Sequence, residues 1–171
     1  ILNFMRISFN DKKVDLFMNV ALKMNTYLTK NQLQLLQLQP QEQTCFDFFI
    51  EHSQTKTYQL QPLRKAKKIV EQLKKQSPLL AIEEIRTNLG YEKSLEKSSE
   101  IMGYNIDQLK SILNLLEEIS DGLKTLEEFA KRLTSLRETI QKASFTNSNL
   151  TLSTFHSSKG LEFDHVFIID A

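Results

Sequence analysis

No glycine occurs before position 90, and only three prolines punctuate the chain, at Pro40, Pro62 and Pro78. A β-sandwich or barrel needs turn residues about every 8–12 positions. The first half of this sequence offers almost none, which excludes an all-β architecture. Glycine and proline together make about 4% of the chain, against roughly 12% in ordinary usage. Leucine supplies 26 of the 171 residues and tryptophan none, so the expected protein is mainly helical. With 40% hydrophobic and 25% charged residues, there is apolar material for a core, and the composition is not that of a disordered chain. The length suits one ordinary domain or two small ones.

Charge narrows the possible partners. Twenty-two basic and 21 acidic side chains leave a net charge of +1, so any affinity for nucleic acid must come from a local patch. A single cysteine, Cys45, rules out an internal disulfide framework and a multi-cysteine zinc site, and suits a reducing compartment. The apolar runs are far shorter than the ~20 residues that span a bilayer. Ile1-Leu2-Asn3-Phe4-Met5 lacks the basic, apolar, small-residue order of a signal peptide. The chain has no starting methionine and stops just after Val166-Phe167-Ile168-Ile169. It therefore reads as a cytoplasmic piece of a longer protein, with no membrane contact.

Helical spacing runs through the first two segments. Ile1, Phe4 and Met5, then Val14, Phe17, Met18, Ala21 and Leu22, recur with helical period, and Asn10-Asp11 breaks between them. Residues 31–61 hold nine of the thirteen glutamines, interleaved with leucines and phenylalanines; the apolar content favours folded helix over low complexity. Pro62 is expected to open a helix through Gln76, with Leu63, Ala66, Ile69, Val70 and Leu73 on one face. Ser77-Pro78 reads as an N-cap with proline at the first helical position, in a helix closed by Gly90. Tyr91–Met102 follows, closed by Gly103. Asn105 with Gln108, and Thr125 with Glu128, read as capping boxes. They open Ile106–Ser120, broken by Asp121-Gly122, and a last helix with Leu126, Phe129, Leu133, Leu136 and Ile140 as its buried stripe. Residues 144–149 are polar loop. Leu150–Thr154 and His165–Ile169 are β-prone and expected to form strand, turn and strand. A domain boundary is placed near 145–149, and no repeat of fixed period occurs.

The chemistry concentrates in Leu152-Ser153-Thr154-Phe155-His156-Ser157-Ser158-Lys159-Gly160-Leu161-Glu162-Phe163. Hydroxyls, an imidazole and an ammonium can donate to phosphate oxygens, Gly160 permits a sharp turn, and Glu162 can accept from a sugar hydroxyl. On chemistry alone, a polar turn with a solvated lysine and glutamate is the plainer reading. Three other features have double readings. Helix 62–76 carries Arg64, Lys65, Lys67, Lys68, Lys74 and Lys75 against Glu71 alone; such a face either tracks phosphates or is simply solvated. His156 and His165, without cysteine or paired acids, make a poor metal site. Cys45 reads as a core thiol.

T-F-H-S-S-K-G-L-E-F at 154–163, with an apolar run ahead and D-H-V-F-I-I-D behind, closely resembles motif V of superfamily 1 DNA helicases of the UvrD/Rep/PcrA type. Gly90-Tyr91-Glu92 and Thr125-Leu126-Glu127-Glu128-Phe129 resemble the final helices of that family's 2B subdomain, and Ile1–Arg6 resembles its first. The resemblance implies a mainly α fold, with a 2B-like helical bundle over 1–145. Residues 146–171 would then be a strand–turn–strand piece of the second RecA-like α/β motor domain. It implies that Thr154, His156, Ser157 and Lys159 face single-stranded DNA, while Gly160 and Glu162 face the nucleotide, Glu162 at the ATP ribose. The parent would be an ATP-dependent helicase, using ATP and Mg²⁺ and contacting single-stranded and duplex DNA and its own other motor domains.

The departures from that pattern are equally definite. There is no G-x-x-x-x-G-K-[ST] loop, no Asp-Glu pair after a buried strand and no downstream arginine finger. Ile168-Ile169-Asp170 imitates a metal-binding strand end, but Ala171 stands where an acid is needed. The fragment alone is therefore expected to hold no ATP or Mg²⁺ and to lack ATPase activity, with no catalytic or metal-ligating residue of its own. The family's Gly-Ile-Gly duplex-binding turn corresponds here to Lys23–Leu28, which has no glycine. Two alternatives stand beside this reading: a helicase–nuclease subunit of the AddA/RecB kind, and a non-enzymatic helical interaction module.

Overall fold

Ten α-helices and one 3-10 turn account for the regular structure among the described residues, 1–143 and 150–169 of a computed structural model. The helices are α1 (Leu2–Ile7), α2 (Val14–Ala21), α3 (Lys30–Gln34), α4 (Cys45–Glu51), α5 (Thr57–Leu73), α6 (Pro78–Arg86), α7 (Tyr91–Met102), α8 (Ile106–Ser120), α9 (Leu126–Ala143) and α10 (Phe155–Ser158), with the 3-10 turn at Leu35–Leu38. Helix makes up 62% of the described residues, so the mainly α expectation holds. The chain divides into two compact units, residues 1–135 and 136–171, the division falling within α9.

In the first unit, the core is built from the buried faces of successive helices. Phe17 of α2 meets Phe46 edge-on at 5.0 Å and stacks on Phe49 at 5.9 Å. Phe4 of α1 meets Tyr91 at 5.5 Å. Leu63, Val70 and Leu73 of α5, Ile82 and Ile85 of α6, and Phe129 of α9 are fully buried beside them. Such aromatic pairs add about 0.5–1.5 kcal/mol each beyond the area they bury.

The caps form as their spacing predicts, with small differences. Thr125 Oγ1 accepts from the Glu128 N–H at 3.2 Å, and Glu128 returns a carboxylate to the N–H groups of Lys124 and Thr125. Asn105 accepts from the Asp107 and Gln108 amides. Ser77 caps α6 with Pro78 in its first turn. That helix stops at Arg86, four residues short of Gly90, and the Leu89 N–H reaches back to the Glu84 carbonyl at 2.9 Å. Gly90 and Gly103 both adopt left-handed backbone, φ +81° and +72°.

Three expectations are corrected. Pro62 does not open its helix: α5 begins at Thr57 and carries Pro62 inside it. Gln59 holds the extra turn. Its side chain is 1% exposed, its Oε1 accepts from the Lys56 N–H at 2.8 Å, and its Nε2 donates to the Tyr27 carbonyl at 2.6 Å. Gln59 and Gln32 also donate to each other's amide oxygens, at 3.1 and 3.0 Å. Four satisfied contacts at a buried amide offset the hydrogen bond that proline removes.

The α9 stripe fades along its length. Leu126 and Phe129 are buried, Leu133 and Leu136 are half-buried, and Ile140 is 68% exposed. The strand–turn–strand over 150–169 is not formed among the described residues; the segment holds only α10. A strand exists by virtue of a ladder partner, and β-prone side chains without one stay irregular. Leu152, Phe167 and Ile169 are accordingly 85%, 86% and 77% exposed. The loop expected over 144–149, and Asp170 and Ala171, lie outside the described residues.

Candidate functional site

The residues singled out for phosphate and ribose chemistry all fall in one short turn of the second unit. Thr154 stands at the N-cap of α10, where its Oγ1 accepts from the Ser157 N–H at 3.2 Å and donates to Ser157 Oγ at 3.0 Å. The Ser158 N–H bonds the Thr154 carbonyl at 2.9 Å, and the Leu161 N–H bonds the Ser158 carbonyl at 3.0 Å. Ser158 Oγ donates to the Phe155 carbonyl. Between these bonds sits Gly160, φ +83°. An L side chain there costs about 1–2 kcal/mol, although an added Cβ would meet no atom within 4 Å. The glycine is required by the backbone turn and not by crowding.

Once these internal bonds are made, the remaining polar groups face solvent. His156, Lys159 and Glu162 are all exposed, with no hydrogen bond or ion pair drawn to them among the described residues. Thr154 and Ser157 are turned toward each other and hold the turn. His156 and Lys159, three residues apart, offer an imidazole and an ammonium; Glu162 offers a carboxylate beyond the glycine. The arrangement can grip an anion on one side of Gly160 and accept a hydroxyl on the other. It contains no nucleophile–base pair. Among the described residues, no three of His, Cys, Asp and Glu converge, and these groups do not fit a Mg²⁺–phosphate site.

Elsewhere, some of the charges are consumed by structure. Arg86 bridges Glu92 at 2.9 Å, Glu117 at 2.7 Å and Asn114 at 3.0 Å, tying α6 to α7 and α8. Partial burial pulls its proton affinity down, but the hydrogen bonds to both glutamates outweigh this and hold the guanidinium above its ordinary range. The hollow lined by Leu79, Glu83, Arg86, Thr87, Glu92 and Glu117 is thus filled electrostatically by its own ion pairs. Lys67 meets Asp47 at 2.7 Å. The Cys45 thiol is buried and donates to Gln39; burial pushes its pKa up to about 12, which removes it as a nucleophile. No described helix is long and apolar enough to cross a membrane.

Two arrangements had no sequence signal. Arg86 and its partners are drawn together by packing, and so are Tyr27 and Tyr58, exposed at 62% and 64% with ring centroids 6.3 Å apart.

The capped Thr-x-His turn running into Lys-Gly-Leu-Glu-Phe is the stretch that resembles motif V of superfamily 1 helicases. The family model for the UvrD-like helicase C-terminal domain matches residues 1–171, and the chain belongs to that family. Membership implies interaction with DNA in general. No curated protein and no solved structure matches the chain.

Proposed function

We propose that the chain is part of an ATP-dependent DNA helicase that moves on single-stranded DNA and separates the duplex ahead of it, in a cytoplasmic setting. In this reading, residues 1–145 are a 2B-like helical subdomain and 146–171 are the motif V piece of the second RecA-like motor domain. One observation carries it: in a chain matched end to end by a helicase family, the 154–163 turn leaves His156 and Lys159 free on one side of a left-handed glycine and Glu162 on the other.

Each group has a role that its chemistry fits. His156 and Lys159 donate to the phosphates of the single strand. Thr154 and Ser157 lock the turn so that those donors keep their spacing. Glu162 accepts from the nucleotide ribose. The short path through Gly160 carries the nucleotide's presence to the DNA grip. No group among the described residues fits the β/γ-phosphates or Mg²⁺, so no hydrolytic step is assigned here, and the expected ATPase activity of the chain alone is background.

Steady-state ATPase of the parent protein, with and without oligonucleotide, tests the assignment. His156→Ala weakens single-strand binding by about 1–3 kcal/mol, one lost hydrogen bond, and lowers DNA stimulation while basal hydrolysis holds. Glu162→Ala raises the KM for ATP, as loss of a ground-state contact does, and leaves the salt slope of DNA binding unchanged because no phosphate contact is removed. Intact DNA stimulation in His156→Ala would show that this residue does not hold the strand.

A further inference from the structure

The outward face of α5 combines the two features that single-stranded nucleic acid requires, cations in a row and exposed aromatic rings. At 3.6 residues per turn, Tyr58, Gln61, Arg64, Lys65, Lys68, Gln72 and, just past the helix end, Lys75 fall within an arc of about 120°. The opposite face is the buried one, with Leu63, Ala66, Val70 and Leu73. Arg64, Lys65, Lys68 and Lys75 are exposed, and none is drawn into an ion pair among the described residues. By contrast, Lys12, Lys67, Arg86 and Lys110 all meet carboxylates at 2.9 Å or less. The only acid on α5, Glu71, sits at the rim of the arc and lies 3.7 Å from Lys67. The cationic row is therefore not neutralised by its own helix.

At the N-terminal end of this row, Tyr58 meets Tyr27 edge to face. Tyr27 holds a left-handed backbone, φ +59°, the one non-glycine residue that does so among those described. Its carbonyl accepts from the buried Gln59 amide of α5 at 2.6 Å. The loop is thus fastened to the helix, and the two rings are presented together.

We infer that the outward face of α5 is a second nucleic-acid surface, which takes the phosphates of a single strand along Arg64, Lys65, Lys68 and Lys75 and a base on the Tyr27–Tyr58 pair. Phosphate neutralisation supplies the affinity, and base–aromatic stacking gives single strand the preference over duplex, whose bases are already stacked. This surface lies in the first unit and shares no residue with the 154–163 turn. It shares with the proposed function only the class of ligand.

Fluorescence anisotropy of the 171-residue chain with a labelled oligothymidylate of about 20 nucleotides, and with a blunt hairpin duplex, tests it across about 50–200 mM salt. R64Q/K65Q/K68Q keeps good helix formers in place. It should weaken single-strand binding at least about tenfold at the low-salt end and flatten the slope of log K against log salt by about 2, three contacts on a single strand. Tyr58→Ala should weaken oligothymidylate binding about tenfold without changing that slope, Tyr58→Phe should restore it, and duplex binding should be weaker and indifferent to both. Circular dichroism confirms that each variant remains helical. An unchanged slope in the triple variant overturns the inference, as does duplex bound as tightly as single strand with no effect of Tyr58→Ala. Loss of binding in His156→Ala with a silent triple variant refutes this surface and leaves the 154–163 reading standing; the reverse result refutes that turn and supports this face.

Discussion

Phe17 is completely buried between Phe46 and Phe49, whereas Phe167 is 86% exposed in a segment without a ladder. The contrast extends to the charges. In the first unit, Arg86, Lys67 and Lys110 are spent on carboxylates that tie helices together. In residues 150–169, His156, Lys159 and Glu162 are left to solvent, and the hydrogen bonds go into shaping one turn. One region packs its apolar side chains together and ties helices with a few ion pairs, and so specifies a fold. The other satisfies only its backbone turn and keeps its side chains available, which is the condition for recognising something else.

The largest effect that could break this contrast is in the aromatic core. Phe17→Ala should cost about 3–5 kcal/mol in urea unfolding, while Phe167→Ala should stay within about 0.5 kcal/mol. Equal losses would mean that the 150–169 segment has a core of its own. Next comes Gln59→Leu, which strands the Tyr27 carbonyl, the Lys56 N–H and the Gln32 amide; a loss of about 2–3 kcal/mol is expected by the same measurement. A neutral result would mean that local preference alone starts α5 at Thr57.

Two glycines of nearly equal backbone angle sharpen the contrast further. At Gly90, φ +81°, an added Cβ would collide with the Asn25 side chain; at Gly160, φ +83°, it would meet nothing. Gly90→Ala should therefore lower global stability by about 2 kcal/mol, from conformational strain plus repacking. Gly160→Ala should leave the unfolding curve in place and act only on the turn. If both shift the curve alike, the segment unfolds together with the helices.

The smallest effect is electrostatic. Partial burial pushes the Asp47 carboxyl up, but hydrogen bonds from Lys67 and Thr44 outweigh it and hold the group below its ordinary 3.8. A depressed carboxylate contributes fully above 3.8, and that contribution disappears as pH falls through its lower folded value. The Asp47 hydrogen bond likewise raises Lys67 above 10.5, so the same pair weakens again in strong alkali. Asp47→Asn should lose up to about 1 kcal/mol at neutral pH and show a shallower acid decline than the parent chain in melts between about pH 2 and 6.

Legibility followed the range of the interactions involved. The caps at Ser77, Asn105 and Thr125 were readable because donor and acceptor lie within three residues of each other. The start of α5 was not, because Gln59 is held from Tyr27 and Gln32, 32 and 27 residues away. The 150–169 strands were overread for a related reason: β-propensity is local, whereas a ladder is not. Within the 154–163 turn the glycine was legible, because a left-handed residue is a local device, whereas the Thr154 cap and the helical turn behind it took the place of an expected strand end. The Tyr27–Tyr58 pair was invisible in the sequence, because only tertiary packing makes those two rings neighbours.

The junction between Tyr27 and α5 is held without charge. It is fastened by two neutral amides, Gln32 and Gln59, in a chain where one residue in four is charged. Salt acts on charges, so the ion pairs and the cationic row respond to it while this clasp ignores it. Ionic strength can therefore turn the cationic face up or down like a volume control, without altering the shape of the element that carries it.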